Sequence, residues 1–181
     1  GKVGQFTDAS TDSRLPSQGS FDWVQSEDFD GDNDVDLLFG GQQGALLADS
    51  LRAGRFANQS TRIPDAARVL QLEPLIADLD GDGRTDLWLG GDWLRQDPQH
   101  SFALVPATSP QRSVPSLCRA LDLDLDGTLD VAAPHPEGGL LVWMSVALPQ
   151  QLVGIAPGTE GNNWLTSAAG DLDNRQRNDW V

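Results

Sequence analysis

The chain has 181 residues and a formal net charge of −15, with 39% hydrophobic and 22% charged residues, a balance that fits a globular domain and excludes a disordered one. The acid is 23 Asp against 4 Glu and the base is 11 Arg against one Lys; with 19 Gly and 11 Pro, this argues against a helical acidic protein, because Asp, Gly and Pro favour turns. An acidic pI near 4.2 argues against a nucleic-acid partner, no apolar run reaches the roughly 18 residues that span a bilayer, and the single cysteine, Cys118, excludes an internal disulfide.

In chain order, the segment Gly4-Gln-Phe6-Thr-Asp-Ala-Ser10-Thr11 reads as a closing strand, matched 50 residues later by Gly54-Arg-Phe56-Ala-Asn-Gln-Ser60-Thr61. A strand is expected from Phe21 to Gln25, followed by a nine-residue window with Asp28, Asp30, Asp32, Asp34 and Asp36 at its odd positions. Strand-like runs then cover 35–41, 44–48 and 54–58, each stopped by Gly or a polar turn. The pattern restarts with a run over 69–77 and a window holding Asp78, Asp80, Asp82, Arg84 and Asp86, then a run over 86–91. It returns with 116–121, a window holding Asp122, Asp124, Asp126, Thr128 and Asp130, and runs at 130–134, 139–146 and 151–155. A fourth window follows the run 164–169 and holds Asp171, Asp173, Arg175 and Asp179. The four windows begin 50, 44 and 49 residues apart and hold 16 of the 23 Asp, so the acid is concentrated and not spread over a solvated face.

A period of roughly 40–50 residues with four short strands is the signature of a propeller blade. The expected fold class is all-β, with blades of four antiparallel strands: about three complete blades and partial blades at both ends. Blade repeats are expected at approximately 20–61, 69–112 and 114–156, with an incomplete one at 162–181 and residues 4–11 closing a preceding blade. The chain begins at Gly1 and not at Met, as a mature form or a fragment would, and three and a half blades seldom close a ring, so the expectation is a fragment of a larger propeller, with a self-closed four-blade ring as the alternative.

Four or five carboxylates within nine residues need a counter-charge. A hard divalent cation supplies it, and calcium takes six to eight oxygens at 2.3–2.6 Å. Window positions 1, 3, 5 and 9 offer carboxylates, and position 7 (Asp34, Arg84 or Thr128) offers its backbone carbonyl. Position 6 is Asn33, Gly83 or Gly127, residues that tolerate a left-handed backbone. An EF-hand is excluded, because position 12 is Phe39, Leu89 or Ala133 where that motif needs Glu, and strand-like residues flank each window. Three calcium sites are expected. The fourth is expected to be empty or weak, because a guanidinium at Arg175 accepts no bond.

These loops resemble the D-x-D-x-D-G-x-x-D calcium loops of FG-GAP and VCBS repeats, found in integrin α-subunit propellers and bacterial extracellular proteins. Leu37-Leu38-Phe39-Gly40 and Asp130-Val-Ala-Ala-Pro134 are similar to the namesake stretches, and Gly54-Arg-Phe56 resembles the closing strand of the bacterial type. The resemblance implies a β-propeller, often seven-bladed, with calcium between the first two strands of a blade. Leu125 departs from it, standing where Gly is usual at position 4.

The function expected is that of a non-enzymatic recognition or scaffold module, extracellular or periplasmic, whose partners are a protein or glycan and the remaining blades. A lectin is the alternative, since six Trp suit sugar rings; Trp88, Trp143 and Trp180 read as packing between blades and Trp93 as the best exposed candidate. A hydrolase is a weaker alternative: His100 and His135 are isolated loop residues, no Gly-x-Ser-x-Gly elbow occurs, and Cys118 reads as a small core residue. Arg52, Arg55, Arg62 and Arg68 form a loose basic stretch expected to pair with neighbouring Asp.

Overall fold

A computed structural model of the chain describes residues 4, 10–15, 20–42, 44–65, 70–106, 113–134, 140–144, 151–155, 169–170 and 179–180, with 10, 151–155, 169–170 and 179–180 described as backbone only. It is all-β: three four-stranded antiparallel sheets, with helix limited to short turns among the described residues. The chain divides into two compact units, Gly1–Gln71 and Leu72–Val181. No helix among the described residues is long and apolar enough to cross a membrane.

The first unit holds β1 (Trp23–Glu27), β2 (Asp36–Gly40), β3 (Leu46–Ser50) and β4 (Phe56–Asn58), hydrogen-bonded in that order. Strand β2 alternates strictly, with Asp36, Leu38 and Gly40 buried and Leu37 and Phe39 half-buried, the period-two pattern of a strand with one face on a core. Gly40 pairs with Trp23 across the sheet, and a Cβ at position 40 would stand 1.9 Å from the indole ring. The aromatic covers the glycine, a device that stabilises a sheet position lacking a side chain of its own. Ser10–Ser13 forms a single helical turn and Ser60–Arg62 a 3-10 turn. The Ser-Thr pairs that open these two turns are 50 residues apart in sequence. The closing strand expected over 4–11 therefore does not extend to Thr11; residues 5–9 lie outside the described residues.

The second unit holds two such sheets. One is β5 (Leu75–Ala77), β6 (Asp86–Trp88), β7 (Trp93–Gln96) and β8 (Phe102–Val105). The other is β9 (Arg119–Leu121), β10 (Asp130–Pro134), β11 (Leu140–Met144) and β12 (Gln151–Ile155). Two opening strands are shorter than their apolar runs suggest. Strand β5 starts only after Pro74, which has no amide hydrogen to give a ladder. Strand β9 starts after a 3-10 turn, Pro115–Leu117, whose first residue has the fixed φ suited to a turn. Leu79, Trp88, Trp93, Cys118, Val131, Ala133, Leu141 and Trp143 form one core drawn from both sheets. The Trp88 and Trp143 rings meet edge to face at 5.1 Å and 66°, so these two indoles pack between sheets as their strand positions suggest. Burying side chains of this size stabilises by about 1.5–3 kcal/mol each.

Trp93 overturns an expectation. It is 2% exposed, because it stands in β7 opposite Trp88 and Val105 with its ring turned into the core. The polar residues beside it in sequence mark only the turn before the strand. Cys118 is fully buried, as its reading as a core residue required.

A short pair, β13 (Ala169–Gly170) with β14 (Asp179–Trp180), completes the described strands. One register recurs in all four strand pairs that flank an Asp window. The residue before the window pairs with the last Asp of the window: Glu27 with Asp36, Ala77 with Asp86, Leu121 with Asp130, and Gly170 with Asp179. The sequence period is thus a structural period, and it presents each window as the connection between the first two strands of a pair.

Candidate metal centre

Each loop is shaped by its own carboxylates. At position 1, one oxygen of Asp28, Asp78 or Asp122 accepts the amide of position 5 at 3.2, 3.1 and 3.1 Å, and the other accepts the amide of position 6 at 2.9 Å in all three loops. At position 5, Oδ1 of Asp32, Asp82 or Asp126 accepts the amide of position 7 at 2.8, 3.0 and 2.8 Å. Two residues per loop take a left-handed backbone: position 4 (Gly31, Gly81 and Leu125, φ 75, 72 and 63°) and position 6 (Asn33, Gly83 and Gly127, φ 66, 82 and 90°). These bends let alternate side chains converge.

Position 9 does more than close the loop. Asp36, Asp86 and Asp130 are at most 1% exposed. Oδ2 of each accepts the amide of position 2, Phe29, Leu79 or Leu123, at 3.0, 3.1 and 2.8 Å. Oδ1 of Asp36 and Asp86 also accepts the amide of Ser50 and Gln96 in the third strand, at 2.7 and 2.8 Å. Position 2 is itself a core residue in the first two loops, with Phe29 2% and Leu79 0% exposed. The loop is thereby pinned by an apolar plug whose amide binds the carboxylate that joins the second strand to the third.

The carboxylates converge in groups. Oxygens of Asp28, Asp30 and Asp32, of Asp78, Asp80 and Asp86, and of Asp122, Asp124 and Asp130 lie within 4.8 Å of one another, as do those of Asp30, Asp36 and Asp49. Oxygens sharing one calcium at 2.3–2.6 Å stand at most about 5 Å apart, so these spacings suit a cation. The groups in loops two and three do not include Asp82 or Asp126. Asp82 is paired with Arg84, and Asp126 Oδ1 accepts the Thr128 hydroxyl at 2.6 Å. At position 7, the Asp34 side chain turns outward to Arg52 Nε at 2.6 Å, and Arg84 Nε donates to the Gln96 carbonyl at 3.2 Å, which leaves only the backbone of position 7 for a ligand role. The fourth window lies outside the described residues apart from the backbone of Asp179.

Burial and mutual charge bear on how readily these carboxylates stay ionised. Burial pushes the Asp36 carboxyl up against the lowering effect of its two backbone hydrogen bonds, and burial followed by the nearby Asp30 charge raises Asp49. In loop two, burial pushes Asp86 up to about 7 despite the Gln96 and Leu79 amides. Asp30 Oδ1 is sealed from solvent with no hydrogen-bond donor. Such an oxygen is costly unless a cation meets it. Asp80 Oδ2 is buried and stands 2.5 Å from Arg95 Nε, an ion pair that gives this oxygen a counter-charge.

The arginine expectation is met at two of its four positions. Arg52 pairs with Asp34 at 2.6 Å and Arg62 lies 3.7 Å from Asp30. Arg68 is outside the described residues. Two participants escaped the sequence reading: Asp49 and Arg95, both in third strands. The interval from position 9 to the third strand varies between repeats, so no fixed spacing marks them. The apolar residue at position 2 is a signal that was available in every window.

Residues 28–89 match the family model of the FG-GAP-like repeat. The match starts at the first Asp of loop one and runs one residue past β6, so it takes in both of the first two loops and strands β2 to β6. No curated protein matches the chain.

Proposed function

We propose that these FG-GAP-like repeats form part of a calcium-stabilised β-propeller that acts as a recognition or scaffold module outside the cytosol, without an enzymatic activity of its own. The observation that carries this is that three hairpins of identical register each gather at least three carboxylate oxygens within 4.8 Å, at window positions 1, 3 and 9 in loops two and three, and in loop one as Asp28, Asp30 and Asp32 beside Asp30, Asp36 and Asp49. Asp28, Asp30, Asp32 and Asp36 would hold the ion in loop one, Asp78, Asp80 and Asp86 in loop two, and Asp122, Asp124 and Asp130 in loop three, with the carbonyls of Asp34, Arg84 and Thr128 as further donors. Bound calcium would neutralise each loop and fix the first two strands of the sheet to the third. Its role is structural: the carboxylates are committed to the ion and to backbone amides.

The extracellular or periplasmic setting follows from affinity. Open loops of this class bind at about 10⁻⁴ to 10⁻³ M, concentrations met outside cells and not in the cytosol. At millimolar calcium and a Kd of about 10⁻⁴ M, each site contributes roughly 1.4 kcal/mol, about 4 for three. That is a large part of the 5–15 kcal/mol typical of a domain. With about 2–4 °C per kcal/mol for a chain of this size, the protein should melt on the order of 10 °C higher in 1 mM calcium than in chelator. Differential scanning calorimetry in the two buffers tests this, and coincident transitions would sink the structural-calcium reading. The burial of Trp93 removes the best sugar platform and makes a protein partner the better reading of the two.

A further inference from the structure

The third strand places one residue of each repeat beside the metal loop, and that residue differs in charge. The residue after position 9 pairs with Ala48, Leu94 or Trp143 in the three sheets. The next residues along the third strand are therefore equivalent: Asp49, Arg95 and Met144. The following amides confirm the register in two sheets, since those of Ser50 and Gln96 both donate to the position-9 carboxylate. Both charged members face the position-3 carboxylate. Asp49 joins Asp30 and Asp36 within 4.8 Å, whereas Arg95 Nε lies 2.5 Å from Asp80 Oδ2 and its other arm reaches Asp82 at 3.4 Å.

We propose that this third-strand residue sets how strongly each loop takes a divalent cation, with Arg95 acting as a built-in counter-cation that makes the second site the weakest of the three. The inference rests on the calcium reading above. A guanidinium against Asp80 supplies part of the charge that the ion would supply, so calcium at this site must displace it or bind beside it. Arg84, paired with Asp82, adds a second guanidinium to the same loop. In the first repeat the third-strand residue has the opposite sign: Asp49 adds a carboxylate oxygen beside Asp30 and Asp36, while the guanidinium groups of that loop, Arg62 at 3.7 Å from Asp30 and Arg52 at 2.6 Å from Asp34, come from outside the third strand. The third repeat, with Met144, contributes no charge from this position. Arg95 is half-exposed and borders a hollow of about 350 Å³ lined by Asp80, Trp93 and Val105, so the side chain has room to swing away when the ion enters. The consequence is a graded module: over a range of calcium concentration the first site fills while the second stays held by arginine, and the second sheet keeps its loop shape without metal.

Isothermal titration of the chelator-stripped chain with calcium tests this, using wild type, Arg95→Met, Arg95→Lys and Asp49→Asn. Arg95→Met should raise the affinity of the weakest class of site by roughly 1.5- to fivefold, the range expected for removing an exposed ion pair. Arg95→Lys should keep the wild-type ranking, and Asp49→Asn should weaken a different, tighter class. Adding Asp78→Asn to Arg95→Met should abolish the improved class, which assigns it to loop two. If wild type binds calcium and Arg95→Met leaves its isotherm unchanged, the ranking is wrong while the calcium reading stands. If neither protein binds at 5 mM calcium, both are overturned. Because Arg95 is exposed, its variants should fold, and an unaltered far-ultraviolet circular dichroism spectrum verifies that.

Discussion

Leu125 is the residue where local cost and loop shape are in open conflict. It holds φ at 63° with its side chain 65% exposed, in the place where Gly31 and Gly81 sit at 75 and 72°. A left-handed conformation costs an L-residue with a side chain roughly 1–2 kcal/mol, and this one recovers little by burial. The loop keeps the bend because the Asp122 and Asp124 carboxylates still collect the amides of Asp126 and Gly127 at 2.9–3.2 Å. Leu125→Gly should therefore stabilise the protein by about 0.5–1 kcal/mol, the strain relieved less the added freedom of the unfolded glycine. Urea unfolding in calcium measures it, and a destabilised variant would show that the leucine side chain has a contact that matters. The aspartates at positions 1, 3 and 9 could be read from sequence because the alternation of carboxylates is itself the chemical signal. The tasks of individual oxygens could not, since whether Asp82 faces an ion or Arg84 depends on side chains packed around the loop.

At the level of the element, the hairpin around each window is the unit that repeats, and its register was encoded in the window. A position-9 Asp opens the second strand, and in the three described loops the position-2 residue gives it an amide. The closing Gly40 of the Leu-Leu-Phe-Gly stretch has a physical reason: Trp23 occupies the space a side chain would need. Gly40→Ala should cost about 1–3 kcal/mol by overpacking and loosen the edge between β1 and β2. Chemical denaturation gives the cost, and a neutral result would mean that Trp23 swings aside freely. Strand starts were less legible. The apolar runs over 69–77 and 116–121 look like single strands, but Pro74 and Pro115 lack the amide a ladder needs and hold part of each run out of the sheet.

At the scale of the whole molecule, the second unit provides its own stability probe. Cys118 lies in the core shared by its two sheets, with Sγ 3.1 Å from the Ser113 hydroxyl, and burial pushes its thiol up to about 11. The thiolate is the reactive form, so the native protein should resist an aromatic disulfide reagent at pH 8 at least 100-fold better than the urea-unfolded chain. Chelation should speed the labelling, because it lowers the free energy of the opening that exposes the sulfur; equal rates with and without calcium would separate this core from the metal loops. The aspartate windows, their period, the four-strand count and the carboxylate clusters that could hold a cation were all present in the order of residues, because each depends on local alternation and turn chemistry. The burial of Trp93, the convergence of Asp49 and Arg95 on the loops, and the charge that distinguishes one site from the next were not. They arise from cross-strand register, which brings together residues separated by turns of unequal length, and distance along the chain carries no record of that.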